Sequence, residues 1–357
     1  MYKKKINIAL LGCGRISRNH IKAMISEKNR CNLVAICDTS NENLNSTTKY
    51  LKEVFKKNKI KDLPSKFIEF DDLLIAHKQK RLNIDLLVIC TPSGMHSQQT
   101  ISAANFGINV CTEKPMALNI LDAEKMIEIC KDNNVQLFVV MQIRLNKNIL
   151  DLRKKIKEYK FGKIAIISLN IFWQRPQSYY DEAGWRGTLK LDGGVLMNQA
   201  SHYIDLLEWL NGPIDSVSAY KAKVARNIES EDTAVLNLKW PNGTLGSTAV
   251  TMISYPKNIE GSITVIGDKG SAKIGGTSFD KYEFSYFEED LSKKENTKLP
   301  NKEISYGSGH FEYYKNMLDV LLLGKDAVCS GESGLSSIKL INAAYLSSEK
   351  NKAIKLS

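Results

Sequence analysis

The sequence predicts an α/β fold in two parts, an N-terminal doubly wound parallel sheet followed by a strand-rich second domain. Three observations carry that prediction. Short, fully apolar runs alternate with helical patterns through residues 1–141. A Gly-x-Gly turn joins the first such run to the first helix. From residue 142 to residue 357 the alternation gives way to successive strands with hairpin signals.

Ile6–Leu11 is a buried-strand run that leads straight into Gly12-Cys13-Gly14-Arg15-Ile16-Ser17, and Ser17–Glu27 reads as a helix with Ile21, Met24 and Ile25 on its inner side. Strand, glycine turn and helix form the context of a dinucleotide fingerprint. Gly12 makes the tight turn, Gly14 admits a pyrophosphate, and the amides of the helix start, at Arg15 and Ile16, hold its charge. Ser17 replaces the third glycine of that pattern. Cys31–Cys37 is a second strand, and Asp38 at its end is placed to accept hydrogen bonds from the adenosine ribose. A carboxylate there repels a 2′-phosphate, so NAD is expected over NADP, although Ser40 and Asn41 offer an alternative set of phosphate contacts.

Ile84–Cys90 is a third strand, ending at Thr91-Pro92-Ser93, with Met95 and His96 opening the next helix. Asn109–Cys111 ends in Thr112-Glu113-Lys114-Pro115. Strand ends of such sheets face the ligand crevice, and a residue before proline is held extended, a rigid mount for the Lys114 ammonium. Gln136–Met141 completes the nucleotide domain, and Gln142-Ile143-Arg144 enters the second one.

There a helix is expected at Lys147–Tyr159, then the strand Ile164–Phe172 and a helix over Asp192–Leu207 that opens with Gly193 and Gly194. The glycines let backbone approach a ligand closely. Asn198, His202 and Asp205 recur at helical spacing, which would stack them on one face. A buried structural histidine is the plainer alternative for His202. Strands follow near Ser216–Ala222, Thr233–Trp240, Thr244–Met252, Gly261–Gly267 and Ser271–Gly275, with Pro241-Asn242-Gly243 as a hairpin turn. Glu288–Lys302 reads as a charged loop, and helices at His310–Leu323 and Leu335–Ser348 close the sequence.

The 357 residues suffice for two sizeable cores, and the formal charge of +11 comes from dispersed lysines, a pattern of solvated faces that predicts no nucleic-acid partner. Some positive potential would help collect an anionic substrate. Seven cysteines without Cys-x-x-Cys spacing read as small core residues in a reducing cytoplasm, and no metal site is expected. Lys3–Lys5 leads into a run too short for a secretory core, and no stretch is apolar enough to span a membrane.

The glycine turn, Thr91-Pro92, Glu113-Lys114-Pro115, Gly184-Trp185-Arg186, Gly193-Gly194 and His202-Tyr203-Ile204-Asp205 together resemble the glucose-fructose oxidoreductase and inositol dehydrogenase family (Gfo/Idh/MocA) over essentially the whole chain. The resemblance implies a Rossmann domain, and after it an α+β domain with a large open, mostly antiparallel sheet that packs homodimers or homotetramers. It implies that Lys114 and His202 face substrate beside a nicotinamide. Many relatives carry aspartate four residues before that histidine, where this chain has Asn198. The runs Phe172–Tyr180 and Met197–His202 are similar to the branch that oxidises UDP-N-acetylglucosaminuronic acid at C3, which serves diacetamido uronic acids of bacterial surface polysaccharide such as lipopolysaccharide O-antigen. Some members recycle NADH by reducing 2-oxoglutarate, and no residue here decides that point.

Oxidation of a secondary alcohol needs a base and a cation beside one oxygen while carbon gives up hydride. His202 is the candidate base and Lys114 the alkoxide partner, with the choice of proton acceptor open between them; Asn198 would hold a sugar hydroxyl or His202. Cofactor contacts are expected from Gly12, Gly14, Arg15, Ile16, Asp38, Thr91, Pro92, Ser93, His96, Glu113, Lys114, Gln142, Trp185 and Arg186, and substrate contacts from Lys114, Arg144, Arg175, Asn198 and His202. The alternatives are a dehydrogenase of a free sugar or inositol and a non-catalytic NAD-binding regulator.

Overall fold

The computed structural model describes residues 5–289 and 309–356 and divides them into two compact units. The first is built on six parallel strands: β1 (Ile6–Leu11), β2 (Cys31–Cys37), β3 (Ser65–Phe67), β4 (Leu86–Ile89), β5 (Asn109–Thr112) and β6 (Leu137–Val139). Their order is β3-β2-β1-β4-β5-β6. The order reverses between β1 and β4, so the carboxyl ends of these two strands flank the switch point of a doubly wound sheet. Fully apolar runs such as Leu86–Ile89 suit strands buried on both faces, and all four of these residues are buried.

The second half of the chain does not stay together. Gly309–Gly334, which the sequence groups with the C-terminal domain, belongs to the first unit. The reason is in its side chains. Helix Gly309–Leu323 buries His310, Tyr313, Tyr314, Met317 and Leu318, Tyr313 donates to the Val139 carbonyl, Ser330 bridges to Phe138, and Asp319 pairs with Arg30.

The second unit holds an eight-stranded sheet of β7 (Ile164–Phe172), β8 (Ser216–Ala222), β9 (Thr233–Lys239), β10 (Leu245–Thr251), β11 (Glu260–Gly267), β12 (Gly270–Gly275), β13 (Lys281–Phe287) and β14 (Ile354–Lys355). The order is β13-β12-β11-β7-β10-β9-β8-β14, and every neighbouring pair is antiparallel except β7 with β10. Alternating burial along β9 marks a sheet with one covered face. Against the other elements of this unit lies the helix Ser201–Asn211, buried along almost its whole length.

Residues 290–302 of the expected charged loop lie outside the described residues. All seven cysteines are free thiols, and no helix among the described residues is long and apolar enough to cross a membrane.

The two glycines of the first turn differ in what they demand. Gly12 has φ +94°, and a Cβ there would stand 2.6 Å from the backbone carbon and oxygen of Cys90, whereas a Cβ on Gly14 meets nothing within 4 Å. Gly12→Ala should therefore cost about 2 kcal/mol or more of stability, because neither the positive φ nor the backbone collision can relax cheaply. Gly14→Ala should stay within about 0.5 kcal/mol of wild type. Denaturant midpoints of the apo protein test the contrast, and equal losses at both positions would contradict it.

Candidate active site

In the first unit the expected cofactor residues gather at the carboxyl ends of β1, β2, β4 and β5. Helix Ser17–Ser26 begins with no side-chain cap, although the Ser17 and Asn19 amides already donate to the Gly14 and Ile16 carbonyls, and a helix N-terminus favours an anion. Asp38 is fixed over the glycine turn: one carboxylate oxygen accepts from the Cys13 amide at 2.7 Å and the other from the Ser40 amide at 2.8 Å. The Asn43 side-chain amide approaches both oxygens at 3.3 and 3.5 Å, a long contact that a ribose diol would displace. The side-chain oxygen of Gln142, just past β6, is buried without a hydrogen-bond partner among the described residues. An open space over Gly14, an uncapped helix start, a fixed carboxylate and an orphaned amide oxygen fit a nicotinamide dinucleotide. Thr91, Pro92 and Ser93 form the turn after β4, and Arg15 is exposed at the helix start.

His96 has an internal role that the sequence does not disclose. It is buried, with Nδ1 at 2.8 Å from the Pro115 carbonyl and Nε2 at 2.9 Å from the Thr91 carbonyl. Each ring nitrogen faces a carbonyl, of which a neutral ring can donate to only one, so neither nitrogen is directed at the cofactor contact expected of this side chain. Burial lowers its pKa, against the two carbonyls, which favour a protonated ring.

Glu113 is likewise turned inward. Its Oε1 lies 2.9 Å from His20 Nε2 and 3.6 Å from His310 Nε2, and its Oε2 accepts the Lys114 amide at 3.2 Å. His20 is fully buried, and its Nδ1 lies 2.8 Å from the Tyr314 hydroxyl. Burial alone would raise the Glu113 pKa, but the two imidazoles hold the carboxyl well below the usual range. His20, Glu113 and His310 are the group among the described residues whose ligand-type atoms could converge on a cation, lying within 4.8 Å of one another. Lys114 itself is half-buried between Glu113 and Pro115. Neither His20 nor His310 was reachable from spacing, since their partner lies 93 residues from one and about 200 from the other.

In the second unit three expectations are corrected. First, Asn198 is not on the helix with His202. The helix starts at Ser201, and Asn198 sits in the preceding turns, its amide bonded to the Gly194 carbonyl at 2.9 Å. Gly193 and Gly194 have φ of +83° and +94°, so the backbone there cannot be right-handed helix. Second, the two glycines make room for protein. A Cβ on Gly194 would collide with the Glu231 carboxylate and one on Gly193 with Leu118. Glu231 accepts from the Leu196 amide, and the Tyr345 hydroxyl lies 2.7 Å from the Gly193 carbonyl and 2.9 Å from Glu231, with one proton to give to either.

Third, Arg144 and Asp205 form a buried bidentate pair, with Nε and Nη2 each 2.7 Å from a carboxylate oxygen. The guanidinium expected to meet substrate is committed to the interior, and Asp205 faces it and not a shared polar stripe.

Asn198 is held from below by Asp192, which no motif pointed out. The Asn198 amide donates to one oxygen of this buried carboxylate, and the other accepts the Gly187 amide at 2.7 Å. Asp192 thereby ties the Gly184–Thr188 loop to the turn that carries Asn198. His202 follows in the first turn of its helix and is 7% exposed. Trp173 packs edge-on against Tyr203 and donates to the Thr277 carbonyl at 3.0 Å, so the polar-aromatic run after β7 is anchored in the core. Arg175 stacks near Trp173 and Tyr179, with Nη1 bonded to the Gln174 carbonyl. Arg186 lies over Tyr179, near Trp185, and bonds the Tyr179 carbonyl and Glu182.

Comparison with known proteins assigns both parts of the chain to one family. Residues 6–141 match the family profile described as "Oxidoreductase family, NAD-binding Rossmann fold", and residues 153–356 match "Oxidoreductase family, C-terminal alpha/beta domain". A solved structure of the WlbA dehydrogenase from Bordetella pertussis, in complex with NADH and UDP-GlcNAcA, is 40% identical, covers 99% of each chain and superposes with a TM-score of 0.87. The WlbA dehydrogenase from Chromobacterium violaceum, also in complex with NADH and UDP-GlcNAcA, is 38% identical over 100% of this chain and 97% of its own, with a TM-score of 0.86. Myo-inositol 2-dehydrogenase from Thermotoga maritima is 23% identical over 98% of both chains. The chain belongs to the Gfo/Idh/MocA oxidoreductase family and is an NAD-dependent oxidoreductase of that family.

Proposed function

We propose that the chain oxidises the C3 hydroxyl of UDP-N-acetylglucosaminuronic acid to the 3-keto sugar. The observation that carries this reading is the 40% identity, over 99% of both chains, to a dehydrogenase crystallised with NADH and UDP-GlcNAcA. The inositol dehydrogenase match is equally long but only 23% identical. Bound NAD would supply the hydride acceptor.

The roles assigned to the side chains follow from charge. As carbon loses hydride its oxygen must lose a proton, and negative charge grows on that oxygen. Lys114 brings an ammonium to the developing alkoxide, and His202 is the candidate for taking the proton. Asn198, braced by Asp192, presents an oriented amide to the sugar or to His202. Arg175, stacked on aromatic rings, is the remaining candidate for the anionic groups of the substrate once Arg144 is committed to Asp205. A free sugar or inositol as substrate is the second reading, favoured by the full-length inositol dehydrogenase match. NADH formation with UDP-N-acetylglucosaminuronic acid, UDP-N-acetylglucosamine, glucose and myo-inositol separates the two. The nucleotide uronate should lead by at least ~100-fold in kcat/KM, and a free polyol turned over as well would overturn the assignment.

Lys114→Met should fold and bind NADH but lose at least ~100-fold in turnover, the scale of a positioned proton-transfer or alkoxide-stabilising group. Unchanged steady-state turnover would remove the lysine from the chemistry. Asp38→Ala should weaken NAD more than NADP, because the carboxylate both holds the ribose diol and repels the 2′-phosphate. Fluorescence titration with NADH and NADPH tests this, and equal losses would show that Asp38 serves only the Cys13 and Ser40 amides. In single-turnover NADH formation, His202→Asn should nearly abolish oxidation with UDP-sugar affinity largely kept. Retention of wild-type rate would make His202 a core histidine.

A further inference from the structure

Three of the five histidines in the chain lie against the short segment that carries Lys114. His20 and His310 face Glu113, and His96 holds the Pro115 carbonyl. All of these groups belong to the first unit.

The hydrogen bonds have a fixed sense around His20. An ionised Glu113 can only accept, so His20 Nε2 carries the proton of that bond and Nδ1 offers a lone pair. Tyr314, whose pKa burial pushes up, remains a phenol and donates to that lone pair. The chain runs Tyr314 hydroxyl, His20, Glu113, and then through Glu113 Oε2 to the Lys114 amide. On the far side of Lys114, His96 spans the carbonyls of Pro115 and Thr91. With its single N–H a neutral ring donates to one of the two, and its body packs between the turn after β5 and the turn after β4.

Burying two imidazoles and a carboxylate is costly, and apolar side chains of similar size would close the same space without that penalty. Apolar packing would not fix the direction of a neighbouring backbone amide and carbonyl, as hydrogen bonds do. We propose that His20 and His96 are positioning residues for Lys114, the first acting through the Glu113 carboxylate and the second through the Pro115 carbonyl. This rests on the reading that Lys114 meets the reacting oxygen, where a displacement of about 1 Å can cost roughly 100-fold in rate.

The test compares His20→Leu, His20→Gln, His96→Leu and Tyr314→Phe with wild type and Lys114→Met in the full-length protein. Turnover, the KM for UDP-N-acetylglucosaminuronic acid, NADH affinity by fluorescence and thermal midpoint are measured for each. The reactivity of Lys114 toward an amine-acylating reagent is measured in the apo protein by mass spectrometry. His20→Leu and His96→Leu should lower kcat by at least ~30-fold while NADH affinity moves less than ~3-fold. His20→Gln keeps a donor at the Nε2 position and should recover to within ~5-fold of wild type; Tyr314→Phe should lose ~3- to 10-fold. Lys114 acylation rates should change at least ~3-fold in both leucine variants.

If His20→Gln is as slow as His20→Leu, or if kcat and Lys114 reactivity stay at wild-type values in folded variants, the histidines do not position the lysine. Should the leucine variants fail to fold, Tyr314→Phe and His20→Gln decide the matter by the same two readouts. Wild-type turnover in Lys114→Met would instead overturn the role of Lys114, and the acylation rates would still report whether the histidines set its environment.

Discussion

A carboxylate buried at the end of a parallel strand is the constraint on which much of the first unit depends. Glu113 is 6% exposed and ionised, a state that a low-dielectric interior opposes by several kcal/mol unless hydrogen bonds compensate. The hydrogen bond comes from His20 on the first helix, and His310, 3.6 Å away on a helix that arrives about two hundred residues later, adds a longer polar contact. Tyr314, one turn further along that helix, completes the bond to His20. The return of Gly309–Gly334 to the nucleotide domain is therefore part of how the Lys114 segment is held, as well as a cover for β6 through Tyr313 and Ser330.

The second unit handles buried charge the same way. Asp205 and Arg144 satisfy each other face to face, and Arg144 also lies near the ring of Trp209. Asp192 and Glu231 are spent on loop amides, on Tyr345 and on Asn198. Asp192 and Glu231 thereby organise backbone that has no regular secondary structure to satisfy it. The turns from Gly193 to Ala200 depend on this, since the two glycines remove helical geometry and leave amides that Glu231 and the local turns must take up.

Much of the fold is readable from local pattern. Ile6–Leu11 and Cys31–Cys37 emerge with the bounds their apolar runs suggest, because a buried parallel strand needs little beyond apolar residues and a turn at each end, and Ile164–Phe172, covered on one face, does so as well. Strand β13, with Tyr282 and Phe287 buried, is passed over because Glu283 interrupts its apolar signal; β3 and β14 are too short to show a period. Contiguous motifs place Gly12-Cys13-Gly14, Asp38 and Lys114 at strand ends as expected, whereas Glu113, expected at the cofactor, is turned inward onto His20. The site was misread where spacing was trusted across glycines, at Asn198 and His202, and where a polar residue near the boundary looked available for a ligand. Arg144 and His96 are both such residues, and only the location of Asp205, Thr91 and Pro115 in space reveals that they are engaged. His20 and His310 could not have been paired with Glu113 from sequence, since long-range partners leave no local periodicity.

The account joins a nucleotide domain that fits NAD, a lysine held between buried anchors, and a second unit whose histidine follows a braced asparagine. Its central claim is that hydride leaves C3 of a UDP-linked uronate. The direct test is isotopic: UDP-N-acetylglucosaminuronic acid bearing deuterium at C3 is oxidised with NAD, and the reduced cofactor is examined by mass spectrometry and proton resonance. The account predicts singly deuterated NADH, labelled at C4 of the nicotinamide, and a keto sugar that has lost the label. Unlabelled NADH with the deuterium retained in the sugar would contradict it, by showing that oxidation takes place at another carbon.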